Sequence, residues 1–261
     1  MSLNNRQIKN SYKDLLVVNN NNSGVDGTSR KIEDGEGTES CASLSTNVLQ
    51  VAPASNSSTT FLVANAAEDV LFQVNSTASS VTHGTTQSHL NSQYLRFMAK
   101  DIDVNNGTHY GVPIVGFYTS GSSEMPNTEI TFGTSADPSA SNPSGSDADD
   151  WIHYLHYVDT NITIDAVNIL VGATAAGGDS LNFHLVKLAT TDTTTINSWS
   201  STTIVADDSG TTNAGYEQFY RVALDIQSAN VDAGDYLALT VEGNGTNSDY
   251  TINALVRYHF R

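Results

Sequence analysis

The chain has 261 residues, a formal net charge of −17, and only 38% hydrophobic and 15% charged side chains. The balance is Ser, Thr, Asn and Gly, which suits short strands and tight turns and disfavours long helices, because these side chains compete with helical hydrogen bonds. One cysteine, Cys41, excludes an intrachain disulfide and a thiolate zinc cluster; no apolar run approaches the roughly 18 residues of a membrane-spanning helix, and an acidic surface repels nucleic acid.

Charge is unevenly placed along the chain. Residues 1–60 carry Arg6, Lys9, Lys13, Arg30 and Lys31 against six acidic side chains, whereas the remainder holds six basic and 22 acidic ones. No acid precedes Asp14, so the N-terminal tip is locally basic and suited to an acidic partner, while the acidic body repels its own copies. Residues 1–58 read as an extended arm. The stretch DLLVVNNNNSGVDGTSRKIEDGEGTESCASLSTNVLQV (14–51) alternates short apolar runs with Asn, Ser, Gly and Asp turn chemistry and is too polar to bury a core. The start, MSLNNRQIKNSYKDLL, lacks the apolar stretch of a secretory signal, so the chain is expected to be soluble, made in the cytoplasm and not exported by the general route.

Residues 59–93 form a small β unit and linker. Two apolar runs, Phe61 to Ala64 and Val70 to Val74, flank a turn with Glu68 and Asp69, and a third short strand is expected near Val81. A unit of this size is marginal unless it packs on a larger domain or on copies of itself. From Tyr94 to Arg261, strand signals recur every ten to twenty residues: 94–100, 112–118, 128–133, 151–158, 162–172, 181–189, 216–227, 235–243 and 250–260. Period-two alternation is clearest in the last, with Ile252, Ala254, Val256, Tyr258 and Phe260 on one face. With the turn Asp232-Ala233-Gly234-Asp235 before an apolar strand, the pattern predicts an all-β fold, an antiparallel β-sandwich of the jelly-roll kind. The chain ends inside that last strand, so C-terminal truncation should be costly and loss of the arm should not.

Chemistry is sparse. His153 and His156 would share a face only on a helix, and the aromatic, β-prone WIHYLHYV sends them to opposite faces of a strand, which disfavours a shared metal. His83 and His89 flank a polar linker and are read as exposed, with a layer around a three-fold axis as the alternative. Asp101, Asp103 and Asn105 begin like a calcium loop, but Asn106 stands where the turn needs Gly and Val112 where a bidentate Glu is required, so the segment reads as a strand entering an Asn106-Gly107 turn. Asp147, Asp149 and Asp150 offer at most an adventitious ion. Trp151, Tyr154, Tyr157, Trp199, Tyr216 and Tyr220 are either a sugar-stacking platform or, as their strand positions favour, core and subunit contacts. No nucleophile elbow, phosphate-cradling loop or dinucleotide fingerprint is present. Neither an enzyme nor a cofactor is expected.

The arm carries a resemblance. Asp14-Leu15-Leu16, the turn Asn22-Ser23-Gly24, Arg30, Asp34-Gly35-Glu36-Gly37 and Leu44-Ser45-Thr46, followed by DVLFQVNSTASSVTHG, resemble the N-terminal third of virion surface proteins of tailed bacteriophages, especially marine and cyanobacterial podoviruses. The resemblance implies a non-enzymatic virion component, homotrimeric, whose arm binds the particle while a β domain projects. A compact body with no repetitive shaft favours a head decoration, or cement, protein; a tail fibre that binds a host receptor or surface glycan is the alternative. The implied contacts to the major capsid protein or another virion component run through the basic Arg6, Lys9, Lys13, Arg30 and Lys31 and the apolar Leu15, Leu16, Val17, Val18, Val48, Leu49 and Val51, with neither nucleic acid nor membrane as partner.

Overall fold

The structure, a computed structural model, describes residues 16–21, 23–84, 88–104, 107–114, 130–138, 151–173, 180–189, 201–208, 211–212, 218–243 and 248–261. The chain divides into two compact units, Met1–Leu90 and Asn91–Arg261. The fold is all-β, and strands pair antiparallel throughout.

The first unit contains two separate four-stranded meanders. In one, β1 (Val17–Val18), β2 (Arg30–Glu33), β3 (Glu39–Leu44) and β4 (Leu49–Val51) lie side by side in chain order. The residues read as an arm thus pair with one another, and the polar residues between the apolar runs make the turns. Asp34 Oδ1 accepts the amides of Glu36 (2.9 Å) and Thr38 (2.8 Å), and Gly37 supplies the positive φ of 86° that closes the β2–β3 turn. Ser45 Oγ accepts the Val48 amide at 3.0 Å in the β3–β4 turn. The other meander holds β5 (Phe61–Ala64), β6 (Val70–Asn75), β7 (Ser80–His83) and β8 (Ser88–His89), again in chain order. Its first turn is organised by Asn65, whose side-chain oxygen accepts the amides of Ala67 and Asp69, both at 2.9 Å.

The second unit has eight principal strands or strand segments: β9 (Ser92–Val104), β10 (Tyr110–Val112), β12 (Ile162–Ala173), β13 (Ser180–Ala189), β14 (Ser201–Asp207), β16 (Gln218–Ile226), β18 (Tyr236–Gly243) and β19 (Ser248–Phe260). Short β11 (His156–Tyr157), β15 (Thr211–Thr212) and β17 (Asn230–Val231) add to β18, β13 and β12. One layer has the order β9-β19-β12-β16 and the other β10-β18-β13-β14. They join at one corner through only two β14–β16 pairs, Ala206↔Ile226 and Asp207↔Asp225. At the opposite corner the Met98 amide donates to Pro113 O at 2.7 Å, so the sheet nearly closes on itself as a flattened barrel.

Between the layers lies the main core, with Phe97, Val171, Phe183, Leu185, Leu239, Ile252 and Val256 among its buried members. Alternation explains it: on β19, Ile252, Ala254 and Val256 face inward while Thr251 is exposed. The layer containing β13 and β18 is covered on its other face as well. There Ile130, Phe132, Trp151 and Tyr154 pack on Val186, Leu188 and Ala238 as a second cluster, which makes β13 and β18 apolar on both faces. The fit is close: a Cβ on Gly111 would lie 2.8 Å from Tyr154 Cδ1 and 3.2 Å from Phe132 Cε2.

Two expected strands are corrected by this cluster. WIHYLHYV is not a strand: residues 152–154 form a turn, with Tyr154 N donating to Trp151 O at 2.9 Å, and only His156–Tyr157 pair with β18. Burial of Trp151 and Tyr154 three residues apart needs both rings on one side, which a turn provides and a strand does not. The described part of 128–133 is no regular strand: it lies along β10 through the bridge Tyr110↔Thr131 and the hydrogen bonds from Gly111 N to Ile130 O and from Phe132 N to His109 O, both 2.8 Å, while Ile130 and Phe132 cover the sheet face. Conversely, β14 was not foreseen; its first half, Ser201 to Thr203, carries no apolar residue. The Asp232–Asp235 turn is present with Gly234 at φ 97°, and β9 ends at Val104 ahead of a positive-φ Gly107.

Candidate functional site

Of the residues implied to bind a partner, Arg6, Lys9, Lys13 and Leu15 lie outside the described residues. The others gather on one small sheet. With the order β1-β2-β3-β4, its outer strands among the described residues are β1, holding Val17 and Val18, and β4, holding Leu49 and Val51. Among the described residues neither has a strand partner on its outer side, which is the physical requirement for strand addition by a partner. Leu16 and Leu49 are each 68% exposed and Val48 is 50% exposed, so apolar side chains stand in solvent beside both outer strands. Val17, Val18 and Val51 are half-buried.

The two described basic residues are held internally. Arg30 forms an ion pair with Asp26 at 3.2 Å, and Lys31 Nζ lies 3.5 Å from the carbonyls of Ser40 and Ala52. Asp26 also accepts the Thr28 amide at 2.8 Å; that bond first, and the Arg30 guanidinium second, hold its carboxyl below the usual range. Asp34 is likewise lowered, chiefly by the Thr38 amide. The charges of this sheet therefore set its turns as well as any contact it makes.

The second unit contains a polar cluster that the sequence reading missed. His109, just before β10, and His184, in the middle of β13, are both fully buried, with ring centroids 5.1 Å apart at 80°. His109 Nε2 donates to the Ser135 carbonyl at 2.8 Å and lies 3.7 Å from Glu242 Oε2 on β18. His184 Nε2 is 3.3 Å from Asp207 Oδ1 on β14 and 3.9 Å from Asp137 Oδ1. The Nδ1 atoms of both rings, together with Asn182 Oδ1 and Asp207 Oδ1, have no hydrogen-bond partner among the described residues. Burial pushes the His184 imidazolium toward the neutral form; Asp207 opposes this, and His109 reinforces it. The sequence signal is His184 itself, a polar residue set between the buried Phe183 and Leu185 of β13.

The buried Thr240 hydroxyl donates to the His184 carbonyl at 3.5 Å, and through Ser135 and Asp137 the cluster ties the segment 130–138 to β13 and β18. His153 lies in the 151–154 turn, where its carbonyl accepts the Ile114 amide at 2.7 Å; His156 is on β11, lowered in pKa by burial against the opposing effect of Asp159. His83 is exposed, His89 half-buried. His259 of β19 contacts Asp165 at 2.9 Å, where a bulge in β12 turns the aspartate toward it. Among the aromatics, Trp151 and Tyr154 are core residues, Tyr157 is exposed and Tyr220 half-buried, while Trp199 and Tyr216 lie outside the described residues, as do Asp147, Asp149 and Asp150. No helix among the described residues is long and apolar enough to cross a membrane. No protein-family model matches the chain, and no curated protein does.

Proposed function

We propose that the chain is a non-enzymatic structural protein of a tailed-phage virion, a decoration protein whose N-terminal unit binds capsid subunits and whose β-sandwich is displayed. The observation that carries this reading is the burial contrast. Every buried apolar side chain among the described residues lies at Leu95 or beyond, whereas the side chains buried in 16–90 are Ser43, Ser45, Gln73 and Thr82. A segment with strands and no apolar core of its own gains its stability from what it is laid on. The open edges β1 and β4 offer the backbone groups, and Leu16, Val48 and Leu49 the apolar anchors. Bridging several shell subunits would add binding free energy that unassembled subunits lack.

The nested order of the body, with the first strand beside the last and the second beside the last but one, is read as a jelly roll. A fold of this kind serves both shell and fibre proteins, so position on the particle is decided by experiment. Deletion of residues 1–52 should leave a folded, soluble body that no longer joins heads; incorporation of the deletion at wild-type level would overturn the reading. Quantitative mass spectrometry of purified particles separates the alternatives: hundreds of copies fit decoration, a few to a few tens at the tail fit a receptor- or glycan-binding fibre.

A further inference from the structure

The outer face of the layer β9-β19-β12-β16 carries charge of the opposite sign to the body around it. Beyond residue 60 the chain holds six basic and 22 acidic side chains. Two of the six, Lys187 and Arg261, are paired with Asp235 and Asp232. The other four, Arg96 and Lys100 on β9, Arg257 on β19 and Arg221 on β16, all stand on this face, because each follows or precedes a side chain buried in the core. Among the described residues, the three arginines have no ion-pair partner. The described acids of the face are Asp165, held by His259 at 2.9 Å, and Asp225, at the corner with β14. The registers fix the layout. Arg96 is opposite Leu255 and Arg257 opposite Tyr94, which sets the two arginines diagonally, about 7–8 Å apart. Arg221, opposite Leu170, stands three strand spacings from β9, about 14 Å. Beside it Phe219 is paired with Gly172, where a Cβ would come 3.9 Å from Phe219 Cδ1 and Cε1; the ring therefore rests over bare backbone and is 81% exposed. Asn168, Ile169, Arg221, Val222 and Ala223 line a shallow depression of about 280 Å³.

We propose that this face binds an acidic polysaccharide, a chain whose sugars carry carboxylates. Charge complementarity selects an anion, since basic residues gathered on one face of an acidic body meet their counter-charge only in a ligand. Three of the four are arginines, whose planar forks take a carboxylate through two parallel hydrogen bonds where a lysine offers a point charge. The Phe219 ring, lying over Gly172, is a flat apolar platform for the C–H face of a sugar ring. The side-chain amides of Asn168 and of Asn253, which is opposite Leu170, both donate and accept, as sugar hydroxyls require. Size excludes a folded partner: about 14 Å across the four strands and about 20 Å from Tyr94 to Lys100 make on the order of 300 Å², against the ~800 Å² that each side of a stable protein complex buries. A narrow chain crossing the strands from Arg221 to Arg96 meets arginine, aromatic and amide groups in turn. The acidic remainder of the body repels nucleic acid, with its dense phosphate charge, more than a sparsely charged saccharide.

The inference goes beyond the virion reading and does not rest on it, since it concerns the isolated full-length chain, and its failure would leave that reading standing. Titration calorimetry of that chain with polygalacturonate, alginate and hyaluronan should show binding to at least one of them, at least about tenfold tighter than to poly-L-glutamate or a thymidine oligonucleotide, and none to neutral dextran. Raising salt from about 0.05 to about 0.5 M should weaken that binding about tenfold. Arg221→Ala should weaken it at least about tenfold and Phe219→Ala at least about fivefold. Arg221→Lys, which keeps the charge and loses the fork, should weaken it at least about threefold. Lys187→Ala removes one positive charge from the other layer and should change binding by less than about twofold. Binding to none of the three polysaccharides, equal binding of poly-L-glutamate or the oligonucleotide, or equal losses from Lys187→Ala and Arg221→Ala overturns the proposal: the second outcome would make the face a docking site for acidic protein or nucleic acid, and the third would leave only net charge.

Discussion

The two units of this chain are built from the same kind of strand and the same turn chemistry, yet among the described residues only one of them has an apolar interior. In Asn91–Arg261, alternate residues of β12, β13, β18 and β19 meet across two layers and exclude water; in Met1–Leu90, sheets of similar strand content leave Leu16, Leu49, Phe61 and Leu71 between 44% and 68% exposed. Strand propensity and hydrogen-bonded turns thus specify local structure in both, and a second apolar layer is what converts local structure into independent stability. A unit that lacks that layer is structurally incomplete, which is the property expected of an attachment element.

The comparison breaks most visibly under truncation of a leucine. Leu239→Ala removes a fully buried side chain from the centre of β18 and should cost the body about 3 kcal/mol, read from denaturant unfolding followed by Trp151 fluorescence. Leu49→Ala, at an exposed edge, should move the same transition by no more than about 0.5 kcal/mol while, on the proposed decoration role, reducing binding to heads. Equal effects of the two on the body would mean that the units are not energetically distinct.

How much of this was legible in sequence follows from the same distinction. Strands β12, β13, β18 and β19 are long and apolar at alternate or at all positions, so periodicity alone located them within a few residues. The covering segment defeated periodicity, because Trp151, Tyr154, Ile130 and Phe132 are apolar for the sake of a sheet face they lie across, not of a strand they belong to. The meander of residues 17–51 was visible as turns and short apolar runs, but their pairing depends on bonds such as those of Asp34 and Ser45, which composition does not rank. The His109–His184 pair was invisible because it joins residues 75 positions apart through a loop, and neither histidine has a metal-ligand neighbour in sequence.

Acid provides a finer test of the body. Burial disfavours the charged form of His184, so its folded-state pKa lies below the ordinary histidine value of 6.5; His156 is lowered for the same first reason. Below pH 6.5 the unfolded chain takes up protons that the folded chain refuses until the pH falls through the lower folded value. Stability is therefore complete above 6.5 and falls as the pH drops from there, by at most about 1.4 kcal/mol per pH unit for each group. Asp207, Asp137 and Glu242 oppose the shift and limit its size. Thermal melts between pH 7.5 and 5 should show this slope, and His184→Gln should flatten it; an unchanged slope would remove His184 from the account.

The N-terminal unit should answer to a different window, and the effect should be smaller. Asp26 and Asp34 both have pKa values below the ordinary aspartate value of 3.8, chiefly because the Thr28 and Thr38 amides donate to their carboxylates. A depressed carboxyl contributes stability that is present above its unfolded pKa and is lost as pH falls through the folded one, so these turns should hold at pH 5 and loosen only below about 4. Both carboxylates are solvent-exposed, and screening keeps the contribution slight. Amide exchange by residue at pH 5 should therefore find the body already losing protection around β13 while Glu36, Gly37 and Thr38 keep theirs. Loss in the opposite order would mean that the β2–β3 turn is held by something other than Asp34, and that the open sheet owes its shape to contacts outside its own turns.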